Sequence, residues 1–153
     1  MKVLAAILTL SLVCVFAVTA DAVIEKRTAT IVEMEGSATV KMPDAQGWVP
    51  ADLGMELTQG DTVKTDADSL VVLMLSGTET ANVEIKEHSV MKLAELFTDS
   101  DMATQRTLLD LAIGEILITS KKLQSEKSKF EVKTPTSIVG VRGTTFSVSV
   151  ESE

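Results

Sequence analysis

The residues that usually carry enzyme chemistry are scarce in this sequence of 153 residues. It contains one histidine, His88, one cysteine, Cys14, and no tyrosine. Close carboxylates occur, as in Asp66 with Asp68, but such pairs usually cap turns and face solvent. A general acid or base would therefore have to be a carboxylate or a lysine. Nucleophile-elbow, phosphate-loop and zinc-protease motifs do not occur. We expect no catalytic residues and no enzyme activity.

A resident metal or other cofactor is not expected either. His88 has no second histidine or cysteine at a spacing that would complete a metal site. The methionines beyond Met1 are spread along the chain, which suits core residues that fill gaps better than a thioether metal site. Cys14 lies in the N-terminal apolar segment, so the rest of the chain offers no thiolate ligand and no disulfide.

The net charge of −8 repels the phosphate backbone and argues against nucleic acid as a partner. One lysine cluster interrupts the acidic pattern near the C-terminal end. It contains a single aromatic residue, Phe130, whereas base-stacking platforms need several rings. We interpret the cluster as a solvated turn whose charges discourage strand pairing. Its members are Lys121, Lys122, Lys127, Lys129 and Lys133.

The amino terminus is typical of a secretory signal. Lys2 precedes an uncharged apolar run over residues 3–18, and small residues follow it. Cleavage after Ala20 or after Ala22 would remove a signal peptide of residues 1–22 and release a periplasmic or secreted domain. A retained membrane anchor is the alternative, although sixteen apolar residues fall short of the roughly 20 that usually span a bilayer. A membrane is an expected partner only in that case.

The rest of the chain shows the period-two pattern of β-strands. Apolar and polar residues alternate over residues 38–42, 83–86, 130–133 and 146–150, which predicts strands with one buried face. The run from Leu70 to Leu75 is continuously apolar, as in a central strand covered on both faces. We predict an all-β domain of many short strands.

Residues 100–113 allow two interpretations. Ser100 could cap a short helix over residues 101–113, with Gly114 as its C-terminal residue. Alternatively, Leu109, Leu111 and Ile113 alternate as in a strand, and a turn at Gly114 would lead into a facing strand.

Trp48 is the single tryptophan of the sequence. Its place at a strand junction between Gly47 and Pro50 predicts a partly buried packing residue. An exposed Trp48 in a groove beside two carboxylates would instead favour a carbohydrate-active enzyme.

Two separated motifs distinguish this sequence from a general β-domain. The first consists of Thr134, Pro135, Val141, Arg142, Gly143, Thr144 and Phe146. Its order closely resembles the end of the FecR domain: threonine-proline, a short apolar stretch, valine-arginine-glycine-threonine, then phenylalanine. The second motif is similar to that family's upstream positions and consists of Trp48, Leu57, Gly60, Asp61, Val63 and Thr65.

We expect most of these motif residues to be structural. Pro135 should end a strand, because it lacks the amide hydrogen that the ladder needs, and Gly143 should permit a close backbone approach. Arg142 lies between apolar neighbours, so a covered guanidinium would need an internal partner. We predict that Asp61 is this partner. The alternative leaves Arg142 exposed to bind an anionic ligand or a protein.

The resemblance implies an extracytoplasmic β domain over residues 28–150, either solenoid-like or sandwich-like. Well-known FecR proteins relay ferric-siderophore status to a cytoplasmic sigma factor. Only Met1 and Lys2 precede the apolar run here, so we expect a stand-alone domain without the sigma-binding region. We predict a binding or scaffolding module in the periplasm or cell envelope, with a protein or envelope glycan as partner. A membrane-anchored component of cell-surface signalling is the alternative.

Overall fold

The computed structural model describes residues 23–77, 80–120, 127–142 and 145–151. The expected signal peptide, residues 1–22, lies outside this part of the chain. All regular structure in the described residues is β, and the strands follow in chain order. They are β1 (Ile24–Lys26), β2 (Ala29–Glu35), β3 (Ala38–Lys41), β4 (Val49–Pro50), β5 (Glu56–Leu57), β6 (Thr62–Thr65), β7 (Leu70–Leu75), β8 (Ala81–Ile85), β9 (Val90–Asp99), β10 (Thr104–Ser120), β11 (Lys129–Lys133), β12 (Ile138–Gly140) and β13 (Thr145–Val150).

The strands form one curled sheet, a half-barrel, in the order β4-β3-β6-β9-β10-β8-β7-β2-β5. Strand β1 pairs with β9, β11 and β13 pair with β10, and β12 pairs with β11. The all-β prediction is therefore confirmed. The pairing of β10 with β11 is parallel and the other described pairings are antiparallel. This pattern differs from the parallel coils of a β-solenoid.

Strand β10 belongs to both halves of the sheet. Residues 104–113 pair with β9, and residues 106–110 also pair with β11. Residues 114–120 pair instead with β8 and β13. The change of partners falls at Gly114, which has a φ of +97°, a value that favours glycine. The helix considered for residues 101–113 and the turn considered at Gly114 are both wrong, because tertiary pairing on both sides holds this segment extended.

The buried side chains of both halves meet in one hydrophobic cluster. Aliphatic residues dominate it, since aromatic residues make up only 3% of the sequence. In β7, Val71, Leu73 and Leu75 point into this cluster, whereas Met74 is 41% exposed. The prediction that β7 is covered on both faces is therefore wrong. Its outward residues have no second layer above them in the described structure, although β7 is an interior strand between β2 and β8.

Candidate functional site

The threonine-proline motif forms the turn of the β11–β12 hairpin. Thr134 is buried, and its backbone N–H donates to the carbonyl of Ser137 over 2.8 Å. The backbone N–H of Ser137 donates in return to Oγ1 of Thr134 over 3.0 Å. Pro135 is exposed in the turn, two residues after the end of β11, where its missing amide hydrogen costs no ladder bond. The hydroxyl of Thr134 therefore replaces backbone partners that the tight turn cannot supply.

The apolar motif residues attach this hairpin to the core. Val141 is 2% exposed, and its backbone N–H donates to the carbonyl of buried Phe130 over 2.7 Å. Phe146 in β13 lies opposite Ile118 of β10 and packs against the same cluster. These contacts fix both ends of the segment that contains Arg142. Gly143 and Thr144, which complete the motif, lie outside the described residues.

Arg142 itself is exposed. It borders an open cavity of about 260 Å³ that residues 128–131 and 140–142 line. The predicted internal clamp between Arg142 and Asp61 is wrong, because the buried carboxylate of Asp61 has local partners. Its Oδ2 accepts a hydrogen bond from the backbone N–H of Thr58 over 2.7 Å and from the hydroxyl of Thr58 over 3.3 Å. The alternative expectation, an accessible Arg142, matches the observed exposure.

The upstream motif residues surround the start of β6. Gly60 has a φ of +99°, and its backbone N–H donates to the carbonyl of Leu93 in β9. Leu57 and Val63 are buried in the core. Thr65 is 2% exposed; its Oγ1 donates to the carbonyl of Lys86 and accepts from the N–H of Ser89 over 3.0 Å. These residues therefore join turns to neighbouring strands.

Trp48 differs from the prediction. It lies just before β4 and is 44% exposed, because β4 has only two residues and lies at the edge of the sheet. Met42, Val49 and Leu53 in the same region are also exposed. Sequence patterning placed Trp48 at the correct junction but could not show that no element in the described part of the chain covers it.

Comparison with known proteins agrees with the motif geometry. The sequence model of a family described as FecR protein matches residues 61–153. The chain belongs to the FecR family. The match includes Asp61, Thr65 and the complete C-terminal motif, whereas Trp48, Leu57 and Gly60 precede it. Curated proteins and solved structures gave no match.

Membership suggests a role in cell-surface signalling, and FecR proteins are generally associated with the cell envelope. In the described residues of this FecR domain, no helix has both the length and the apolar character to cross a bilayer. Its described His, Cys, Asp and Glu residues form no group of three or more that could hold a metal ion. His88 is exposed at the turn between β8 and β9.

One buried arginine, Arg27, is not indicated by any pattern in the sequence. Arg27 is 5% exposed. Its Nε donates to the carbonyl of Ser76 over 2.6 Å, and its Nη1 donates to the hydroxyl of Thr107 over 2.9 Å. Gly77 lies against the guanidinium, since a Cβ atom there would be 2.8 Å from Nε. No sequence signal separates Arg27 from a solvated residue, because Lys26 and Thr28 flank it.

Proposed function

We propose that this chain is an exported, non-enzymatic FecR-domain protein that acts as a binding module in the periplasm or cell envelope. Three observations support the proposal: the signal-like segment over residues 1–22, the family membership and an open strand edge. The open edge carries the binding part of the proposal.

The open edge is that of β13. This strand pairs with β10 on one side, and no described strand lies on its other side. Its six residues include no charge and no proline. Natural edge strands usually contain such residues, because an unprotected edge pairs readily with another chain. The other edge strands, β1, β4, β5 and β12, have at most three residues each.

The edge of β13 therefore fits an extended segment of a partner protein that adds as a further strand. Main-chain hydrogen bonds would supply much of the affinity of such a complex. Arg142 and the cavity beside it lie just before β13 in the chain and would supply selectivity for an acidic group on the partner.

Export is tested by fractionating the producing cells and measuring the intact mass of the protein. We expect a mature chain that begins at Asp21 or Val23 in the periplasmic or secreted fraction. An intact Met1 in the membrane fraction would favour the second candidate function, a membrane-anchored component of cell-surface signalling.

Binding is tested by capture of partners from envelope extract with two variants. The double substitution Ser147→Lys with Ser149→Lys places charges on the open edge and should abolish capture. The control, Ala112→Lys with Thr119→Lys, places the same charges at exposed positions of the interior strand β10 and should retain capture. Equal capture by all three proteins would contradict strand addition at β13.

A further inference from the structure

The outer faces of the two halves of the sheet have opposite charge. Burial alternates along the strands, so the polar residues of each strand point away from the core. On the half that contains β3, β6, β9 and β11, the outward charged residues are Lys26, Lys41, Lys64, Lys92, Arg106, Lys129 and Lys133, with Glu95, Asp110 and Glu131. On the other half they are Glu33, Glu35, Glu56, Glu84 and Glu115, with Lys86. We call the first surface the basic face.

Part of the positive charge on the basic face is neutralised within the protein. Arg106 forms an ion pair with Glu95 at 3.3 Å, and Lys133 forms one with Asp110 at 3.5 Å. Both pairs lie toward the β10–β11 side. Lys26 and Lys129 also have no ion-pair partner among the described residues, but three lysines without such a partner lie together on the other side, along β3, β6 and β9.

Three lysines occupy that side and form what we call the lysine triad: Lys41, Lys64 and Lys92. Thr62 of β6 lies opposite Lys41 of β3 and also opposite Lys92 of β9. Lys64 is the next outward residue of β6. Neighbouring strands are about 4.8 Å apart, which places the Cα atoms of Lys41 and Lys92 about 10 Å apart. No triad member has an ion-pair partner among the described residues.

Trp48 extends this surface at its edge. Val49 lies opposite Val40, which is fully buried. Because side chains alternate along a strand, Trp48 points to the outer side, next to Lys41. Its exposed indole is a flat apolar surface with a polar N–H group. An aromatic ring beside several free ammonium groups suits a ligand made of sugar rings that carry carboxylates.

We propose that one part of the basic face, the lysine triad with Trp48, binds an anionic polysaccharide of the uronic-acid type, with the chain running from Trp48 across the triad. This inference rests on the proposed function, because it names the glycan that an envelope binding module would recognise. A flexible polymer can follow the convex outer side of a curled sheet, whereas a planar bilayer would contact a smaller part of that surface. In the described part of this face the aromatic residues are Trp48 and Phe97, which lies opposite Lys26 and Arg106, and single-stranded nucleic acid usually requires more stacking rings than these two.

The test measures binding of the purified protein to polygalacturonate oligosaccharides by calorimetry. We expect binding that weakens as salt is raised, because exposed charges are screened. The methyl-esterified oligosaccharide has the same sugar rings without the charge and should not bind. The triple substitution Lys41→Gln, Lys64→Gln and Lys92→Gln should weaken binding by about tenfold or more, and Trp48→Ala should weaken it by a similar factor.

A matched control removes the same charge from the same face outside the triad. Lys26→Gln, Lys129→Gln and Lys133→Gln together should weaken binding by less than about threefold. Thermal unfolding of each variant tests whether the fold is retained. The salt dependence of binding by the unsubstituted protein tests the charge requirement without any variant.

Several results would overturn this inference. Equal binding of the methyl ester, an unaffected triad variant, or an equal loss in the control would each exclude the triad as the site. Tighter binding to anionic phospholipid vesicles or to single-stranded DNA than to polygalacturonate would assign the face to those partners. Export is read separately from the mass of the mature chain, so an exported protein that binds no polyuronate would contradict this inference alone.

Discussion

Gly114 packs directly against Ser89. A Cβ atom built on Gly114 would overlap Oγ of Ser89 and lie 2.5 Å from its Cα. The same Oγ accepts a hydrogen bond from the backbone N–H of Glu115 over 3.0 Å. The contact lies where β10 leaves one half of the sheet and enters the other, so it holds the turn before β9 against the point at which β10 changes partners.

Replacing Gly114 by alanine should therefore destabilise the protein. The new methyl group would overlap Ser89, and the φ of +97° is unfavourable for any residue with a Cβ atom. We expect Gly114→Ala to lower the free energy of unfolding by about 2 kcal/mol or more, measured by urea denaturation. Gly47→Ala is the control, because nothing lies within 4 Å of its Cβ position. Equal stabilities of the two variants would show that the close contact is absent.

Truncation to alanine should lower the stability of the protein strongly at Arg27 and very little at Arg142. Arg27→Ala removes the donors to Ser76 and Thr107, empties the space of a buried side chain and leaves the buried hydroxyl of Thr107 without this donor, which should cost about 3 kcal/mol of unfolding free energy. Arg142→Ala alters an exposed side chain and should change stability by less than about 0.5 kcal/mol. Urea midpoints measure both. A larger loss in the Arg142 variant would restore the internal clamp that the sequence suggested.

Asp61 should stabilise the turn before β6 through its acceptor oxygen. Asp61→Ala leaves the backbone N–H of Thr58 without its partner and should lower the unfolding free energy by about 1–2 kcal/mol. Asp61→Asn keeps an acceptor oxygen and should lose less. Exposed Asp44, replaced by alanine, provides the control. A stable Asp61→Ala variant would be inconsistent with this capping role.

Substitutions in strand β7 should lower the stability of the protein on one face of the strand only. Leu73 is fully buried, and Leu73→Ala should cost about 3 kcal/mol through lost burial and a cavity. Met74 is 41% exposed, so Met74→Ala should cost less than about 1 kcal/mol. Thermal or urea unfolding of the two variants measures the difference. Similar losses at both positions would mean that a further layer covers the outer side of β7.

Local sequence pattern predicted the strands better than their partners. Alternation identified the segments that became β3, β8, β11 and β13, because period two directly reflects one buried face. It could not show that residues 104–120 form a single strand shared by two halves, since that depends on pairing with β8, β9, β11 and β13, which no local pattern encodes. The short helix was a reasonable alternative for the same reason.

The sequence predicted the burial of apolar residues better than the burial of charged ones. Apolar positions such as Val141 were expected inside and are buried, because their chemistry allows little else. Charged positions were misjudged: Arg142 has apolar neighbours in sequence but is exposed, whereas Arg27 has polar neighbours and is buried. Burial of an arginine depends on which distant carbonyls and hydroxyls surround it, and these become known only from the fold. The exposure of Trp48 likewise follows from the short edge strand β4.

The shared strand β10 also sets when the domain can form during synthesis. The nine described strands before it include partners from both halves, β8 and β9. Neither half can close before β10 has been made, and each then gains a later strand, β11 or β13. Because contacts distant in sequence must form before the core closes, folding should be late and cooperative. A nascent chain that ends before β10 should therefore remain sensitive to proteases along its whole length.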